Sequence, residues 1–304
     1  MNKSKRHHYV PQFLIKYFSK EDGNIHIYDK ITDKIFESSS VNLFVEKNRN
    51  TSTNIDGIED DMIERVYSSF DSLFSQVLIE TSTRNISNDN FYLLLFLAYI
   101  SKWRVPQYDE SFKNAKEYFS VDELGLGFKD SNGERLDINL EDFFNLDGHQ
   151  ELKRFLLAIQ PFRFKDDFKI LLKNSFVIST PRNSFIGDCP FNEASIIGDT
   201  IFEDFVFPVT KNLTLVYSTR IDRNKIKNFI LNGDEEKVNL FLSDFSIARD
   251  ISLLALAKRN VGCCDFNYLK YVVDIYKEFK ARGTDTPFNA TVFSVLYRFN
   301  EYAS

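Results

Sequence analysis

Apolar and polar residues alternate along this chain in two rhythms, and each rhythm predicts its own kind of element. Pro11 suits the first turn of a helix, where its missing N–H would be unpaired anyway, and Phe13, Leu14, Tyr17 and Phe18 then share one apolar face. Pro11 also keeps Val10 extended, so His7, His8 and Tyr9 fall just before a helix N-terminus. Residues 24–28 and 34–37 alternate in polarity around a polar turn and predict a β-hairpin, with 43–46 as a further edge strand. From Ile58, the residues Met62, Val66, Phe70, Leu73 and Val77 recur at helical spacing behind a capping box of Asp56 and Glu59, which predicts a long amphipathic helix.

Ser87 or Asn88 caps the next helix, which is apolar all round over residues 91–100 and is ended or kinked by Pro106; residues 107–119 continue helically. The stretch 121–139 holds Gly125, Gly127 and Gly133 among charges and reads as a loop or lid. Short helices are predicted at 140–146, 149–160 and 163–173. The apolar runs 176–180, 185–187, 205–209 and 213–218 predict one small antiparallel sheet, and 222–232, 235–258 and 266–281 are helical by period. The fold class is therefore α+β, predominantly helical, with a small antiparallel sheet and an N-terminal β-hairpin. No linker-like tract and no internal repeat divides the chain, so residues 1–304 are expected to form one domain. Within it, 1–120 carries the hairpin and long helices, 121–139 the loop, and 140–304 the small sheet and C-terminal helices.

Composition narrows the partners. With 43% hydrophobic residues and 31 Phe in 304 residues, the chain can bury a large core. The apolar run 91–100 is about half of the roughly 20 residues needed to cross a bilayer, so it is expected to be a buried helix and no membrane partner is expected. A net charge of −6 disfavours a broad nucleic-acid-coating surface but leaves room for a local basic groove, for which Lys3, Lys5 and Arg6 are the candidates. Cys189, Cys263 and Cys264 lack zinc spacing and no secretory apolar segment opens the chain, which points to a reducing cytoplasm. Phosphate-loop, GxGxxG, HExxH and GxSxG signatures are absent, and the four histidines are scattered in sequence. No cofactor is evident, and a divalent metal site would have to be assembled by folding from histidines and carboxylates.

The opening His7-His8-Tyr9-Val10-Pro11-Gln12-Phe13-Leu14, followed by Tyr17-Phe18 and Asn24-Ile25-His26-Ile27-Tyr28-Asp29, resembles the start of the Domain of Unknown Function 4238 family. The likeness continues through Ile58-Glu59 to Ile63-Glu64, Arg104-Val105-Pro106, Phe185-Ile186-Gly187-Asp188-Cys189-Pro190 and Phe207-Pro208-Val209-Thr210 with Leu213-Thr214-Leu215. Where the family resemblance implies Ser-Asp-Asn-Pro, this chain has Gly187-Asp188-Cys189-Pro190, which keeps the Asp and the Pro. The resemblance implies a bacterial cytoplasmic protein, some members in toxin or defence settings, and supplies no chemistry.

Chemistry has to come from the residues. His8, with His7 and Tyr9 beside it, stands before a helix N-terminus, a place that favours an anionic ligand and a neutral imidazole able to act as general base. The bland alternative packs Tyr9 and Val10 as a staple while a histidine bonds a carbonyl. Gln12 could present its amide to the same ligand or to water. Glu59 reads as a cap, whereas Glu64 lies a turn deeper at the edge of the apolar stripe, where it is either a general acid or an ion-pair partner. Arg104 ends an apolar helix and must either snorkel to water, meet a carboxylate, with Glu64 and Asp188 as the natural partners, or clamp a phosphate. Asp188, at a strand end, either orients a catalytic group or bonds its own turn. Cys189 and Trp103 read as core.

Two functions fit this pattern. One is a phosphodiesterase-type nuclease, RNA first, acting as a toxin or antiviral effector, with His8 and Glu64 exchanging protons, Arg104 on the phosphate, and Asp188 orienting His8 or joining Glu64 on a metal; His7, Tyr9 and Gln12 would touch substrate. The other is a non-catalytic sensor module that binds a nucleotide or a protein. Catalysis requires His8, Glu64 and Asp188 to converge on one open cleft.

Overall fold

A computed structural model describes residues 5–53, 59–83, 88–118, 127, 132–135, 137, 139–145, 149–194, 203–283 and 288–303. Lys3, the Asp56 cap, Ser87 and most of the 121–139 stretch lie outside them. In chain order the first half forms β1 (Arg6–His8), α1 (Gln12–Lys16), β2 (Asn24–Asp29), β3 (Lys34–Ser39), β4 (Val45–Lys47), β5 (Ser52–Thr53), β6 (Glu59–Asp60), α2 (Met62–Thr83), α3 (Asn88–Arg104) and α4 (Asp109–Tyr118). There follow α5 (Leu140–Asn145), α6 (Lys153–Ile159), α7 (Lys165–Lys173), β7 (Ser175–Ser179), β8 (Ile186–Gly187), β9 (Asn192–Glu193), β10 (Phe205–Pro208) and β11 (Leu213–Tyr217). The chain closes with α8 (Arg223–Asn232), α9 (Glu235–Leu256), β12 (Asn260–Cys263), α10 (Phe266–Ala281), α11 (Thr291–Tyr297) and α12 (Phe299–Ala303).

Helix predominates and, among the described residues, every strand pair is antiparallel, consistent with an α+β fold. The hairpin forms as expected from β2 and β3, but its sheet is larger than a hairpin, running β3-β2-β12-β8. Two expectations change here. Residues 185–187 do not join the other apolar runs, because β8 pairs with β12 instead, leaving the second sheet as β7-β11-β10-β9. The edge strand expected after the hairpin pairs with β1, not with the hairpin, so β1 and β4 form a separate ribbon. Gly262 shows how tightly the first sheet is covered: a Cβ there would stand 2.7 Å from Ile25 Cδ1.

Of the expected capping box only Glu59 lies among the described residues, and it does not sit in a helix. Helix α2 starts at Met62, whose N–H is accepted by Asp60 Oδ1 at 2.7 Å, while Glu59 lies in the two-residue strand before it. Helix α3 is apolar all round because it is enclosed: residues 94–100 are all buried, packed against α2 and α6 in the largest core cluster. Among the described residues no helix is long and apolar enough to cross a membrane.

Two polar devices lock the core. Arg249 and Asp250, both fully buried neighbours on α9, pair through Nε–Oδ1 at 2.9 Å and Nη2–Oδ2 at 3.0 Å. Arg249 also donates to Thr214 of β11, and Asp250 accepts from the Phe185 N–H before β8 and the Tyr268 hydroxyl of α10. Buried charge survives there because each end is answered by a hydrogen bond. Lys30, just after β2, donates to the carbonyls of Leu254, Ala255 and Ala257 and so caps the C-terminus of α9, where a cation meets the helix dipole.

Candidate functional site

Helix α2 presents Glu64, Tyr67 and Asp71 on one face, three and four residues apart, toward the end of α3 and the β4–β5 connection. Arg104, nearly fully buried at the end of α3, stacks on the Tyr67 ring at 4.2 Å and pairs with Asp71 at 2.7 Å. Its Nε donates to the His8 carbonyl at 2.9 Å. The expected partners, Glu64 and Asp188, are thus both displaced by Asp71, which lies one turn beyond Tyr67 and reaches the guanidinium first.

Glu64 instead accepts from Asn50 Nδ2 at 2.6 Å, and the Asn50 backbone N–H is held by Nδ1 of the buried His7 at 2.9 Å. This fixes Nδ1 of His7 as an acceptor. His8 is half-buried, and its pKa falls below the ordinary 6.5, first because burial disfavours the cation and next because Arg104 repels it; the backbone at Ser40 and Val41 and the charge of Glu64 oppose the shift. The Nε2 atom of His8 is buried without a hydrogen-bond partner. Tyr9, pushed up by burial and then by the charges of Asp188 and Glu46, packs on Phe44; Gln12 opens α1 half-buried.

Asp188 uses its carboxylate differently. It accepts from three consecutive backbone N–H groups, Lys258 at 2.9 Å, Arg259 at 2.7 Å and Asn260 at 3.1 Å, and from Gln107 Nε2 at 2.9 Å. Burial raises its pKa against the pull of those N–H groups. The structure therefore brings His8, Glu64 and Arg104 into one neighbourhood and commits Asp188 to the junction before β12. Cys189 is buried with its thiol pushed up by burial, and Trp103 is core, as expected of both.

A cleft of about 420 Å³ opens beside this cluster, lined by the 46–50 turn, Tyr67 and Arg104, by Asp109, Phe112, Lys113 and Lys116 of α4, and by Glu151 and Arg154. Asn48 takes φ +59 to make that turn, a conformation asparagine tolerates. Asp109 bridges two guanidinium groups, bonding Arg49 at 2.7 and 3.1 Å and Arg154 at 3.0 Å. Arg49 also donates to the Arg104 carbonyl, and Arg154 to Glu151 and the Trp103 carbonyl while stacking on Phe112 at 3.9 Å. Burial works against the charge of Arg49, and the Asp109 bonds more than restore it, so its pKa ends raised. The lining carries six cationic side chains against three carboxylates, on a chain whose net charge is −6.

Sequence reading missed this cleft because its residues come from four separated segments. Two signals were present: Asp109 in the first turn after Pro106, and a cation, Arg154, beside the apolar run of α6. Among the described residues, no group of three or more His, Cys, Asp or Glu could hold a metal ion.

Residues 6–152 match the model of the family described as "Protein of unknown function (DUF4238)". Over that span, just under half of the chain, the sequence is similar to that family, and the cleft lies almost wholly within it. The segments around Asp188 and residues 207–215, read above as continuing the likeness, fall outside the match. No curated protein and no solved structure matches the chain.

Proposed function

We propose that the protein binds a phosphate-bearing small ligand of the nucleotide class in the cleft between the 46–50 turn, α4 and Arg154. The observation that carries this reading is the excess of cationic over acidic lining on an otherwise acidic chain. Low-dielectric walls focus such a field toward the cleft and raise the local concentration of anions. Its volume of about 420 Å³ suits a mononucleotide rather than a polymer. Arg49 and Arg154 are already oriented by Asp109, and Lys113, largely exposed, stands with Lys116 on the α4 side to meet a phosphate. The protein is read as a cytoplasmic sensor module. Calorimetric titration of the full chain with nucleoside mono-, di- and triphosphates and with inorganic phosphate tests this. Binding is expected to weaken with salt and to drop at least about ten-fold, or about 1.4 kcal/mol, in the Lys113→Glu/Lys116→Glu double variant. Failure of the wild type to bind any of them at low salt ends the reading.

A second reading, an RNA-directed nuclease acting as a toxin or antiviral effector, draws on one observation. The imidazole of His8 is held toward its neutral form with an unbonded Nε2, close to Glu64 and Arg104. In it His8 is the general base, Glu64 its counterpart, and His7, Tyr9 and Gln12 substrate contacts, with a divalent metal on Glu64 as the variant that uses one. The carboxylate of Asp188, already taken by four donors, would serve it only by holding the 188–260 junction. Incubation of wild type and His8→Ala with RNA and DNA, with and without divalent metal, decides: cleavage that His8→Ala loses supports it, and an inert wild type removes it.

A further inference from the structure

We propose that Asp109 sets the class of ligand the cleft accepts: its carboxylate stands in the place of a terminal phosphate, so that dianionic phosphomonoesters displace it and phosphodiesters do not. This rests on the nucleotide reading above and names which phosphates that reading admits.

The carboxylate is held by two guanidinium groups at once. Arg49 donates from Nη2 to Oδ1 at 2.7 Å and from Nη1 to Oδ2 at 3.1 Å, and Arg154 donates from Nη2 to Oδ1 at 3.0 Å. Three donor nitrogens therefore converge on a group with two oxygens, one of which is used twice. A terminal phosphate brings three oxygens and a second negative charge to the same donors. A phosphodiester brings two free oxygens and one charge, which Asp109 already supplies, so the exchange gains it nothing.

Asp109 can swing out without dismantling the site. Its side chain is 35% exposed, against 9% for Arg49 and 11% for Arg154, so the carboxylate is the member of the trio that faces water. Each arginine keeps anchors of its own. Arg49 Nε donates to the Arg104 carbonyl at 3.1 Å and Nη1 to Glu46 at 3.1 Å. Arg154 Nη1 donates to the Trp103 carbonyl at 2.7 Å and Nε to Glu151 at 2.6 Å, with its guanidinium stacked on Phe112. Both carbonyls belong to the last turn of α3, so one helix end keeps the two guanidinium groups in place. A purely structural Asp109, serving the first turn of α4, makes the opposite prediction: its removal would loosen both arginines and weaken the binding of every anion.

Calorimetric titration of the full chain with a nucleoside 5′-monophosphate and with the 3′,5′-cyclic monophosphate of the same base tests this at about pH 7.5, where the monoester is mostly a dianion. The wild type is expected to prefer the monoester at least about ten-fold. Asp109→Asn is expected to bind the cyclic diester at least about ten-fold tighter than the wild type does, narrowing the preference to within about three-fold, and Asp109→Ser to do the same. Glu46→Gln removes one charge from the same lining while contacting only one of the two arginines, and is expected to raise both affinities together and keep the preference. Three results would each overturn the inference and leave the nucleotide reading in place: a wild type that binds the two alike, Asp109 variants that melt near the wild-type temperature yet bind both more weakly, or a Glu46→Gln protein that loses the preference as Asp109→Asn does. A wild type that binds neither overturns it as well, and the nucleotide reading then stands or falls on the titrations given above.

Discussion

A single imidazole gives the residue scale its clearest prediction. His8 has a folded-state pKa below 6.5, so between the two values the unfolded chain binds a proton that the folded chain refuses. Stability must then rise with pH through that window and fall away as the pH drops below about 6.5. Burial and Arg104 both produce this sign, and Glu64 only softens it. Denaturant midpoints taken from pH 7.5 down to 5.5 are expected to fall more steeply for the wild type than for His8→Gln, which cannot titrate. Parallel curves for the two proteins would mean that His8 is not protonation-sensitive in the fold. The same measurement bears on the nuclease reading, because a general base has to hold its neutral form at working pH.

At the scale of elements, the 185–190 segment is fastened to the start of β12 by one carboxylate. Asp188→Ala would leave three backbone N–H groups and the Gln107 amide without an acceptor in buried surroundings, at about 1–3 kcal/mol for each group that water cannot reach. A loss of at least about 3 kcal/mol is expected, read as a shifted urea midpoint, with amide exchange fastest at Lys258, Arg259 and Asn260. A variant within 1 kcal/mol of wild type would show that water replaces the carboxylate. Strands also mark the limit of what the sequence could tell. Helices α2, α9 and α10 are legible because their apolar positions recur at helical spacing over several turns, α3 because an unbroken apolar run lies between a capping residue and Pro106, and the hairpin because its two strands are neighbours in the chain. The partner of β8 was not, since a two-residue strand has no period of its own and β12 lies more than 70 residues away. The cluster near His8 could be anticipated from its place before α1, whereas Asp71 and Asp109 matter only because α3 ends where it does.

The whole molecule couples its two halves more closely than the family match would suggest. Residues 6–152 contain the hairpin, yet β2 has β3 on one side and β12 on the other, with registers Asn260 to Asp29 through Cys263 to His26. The core that encloses Val10, Leu14 and α3 is completed by Phe191, just before β9, and by Phe205, Phe207 and Leu215 of the second sheet. A fragment ending at residue 152 would expose one edge of β2 and that whole apolar wall, which at about 25 cal/mol per Å² is far more than a small domain's net stability can absorb. We therefore propose that residues 1–304 fold as one cooperative unit. The chain supplies its own probe, because Trp103 is its single tryptophan and sits in the first half, while far-UV circular dichroism reports the helices of both. Urea unfolding followed by the two signals is expected to give coincident single transitions for the full chain, and fragment 1–152 is expected to show no cooperative transition. Tryptophan and dichroism midpoints that separate, or a fragment that unfolds cooperatively on its own, would show that the first half is a domain to which the second sheet and C-terminal helices are merely attached.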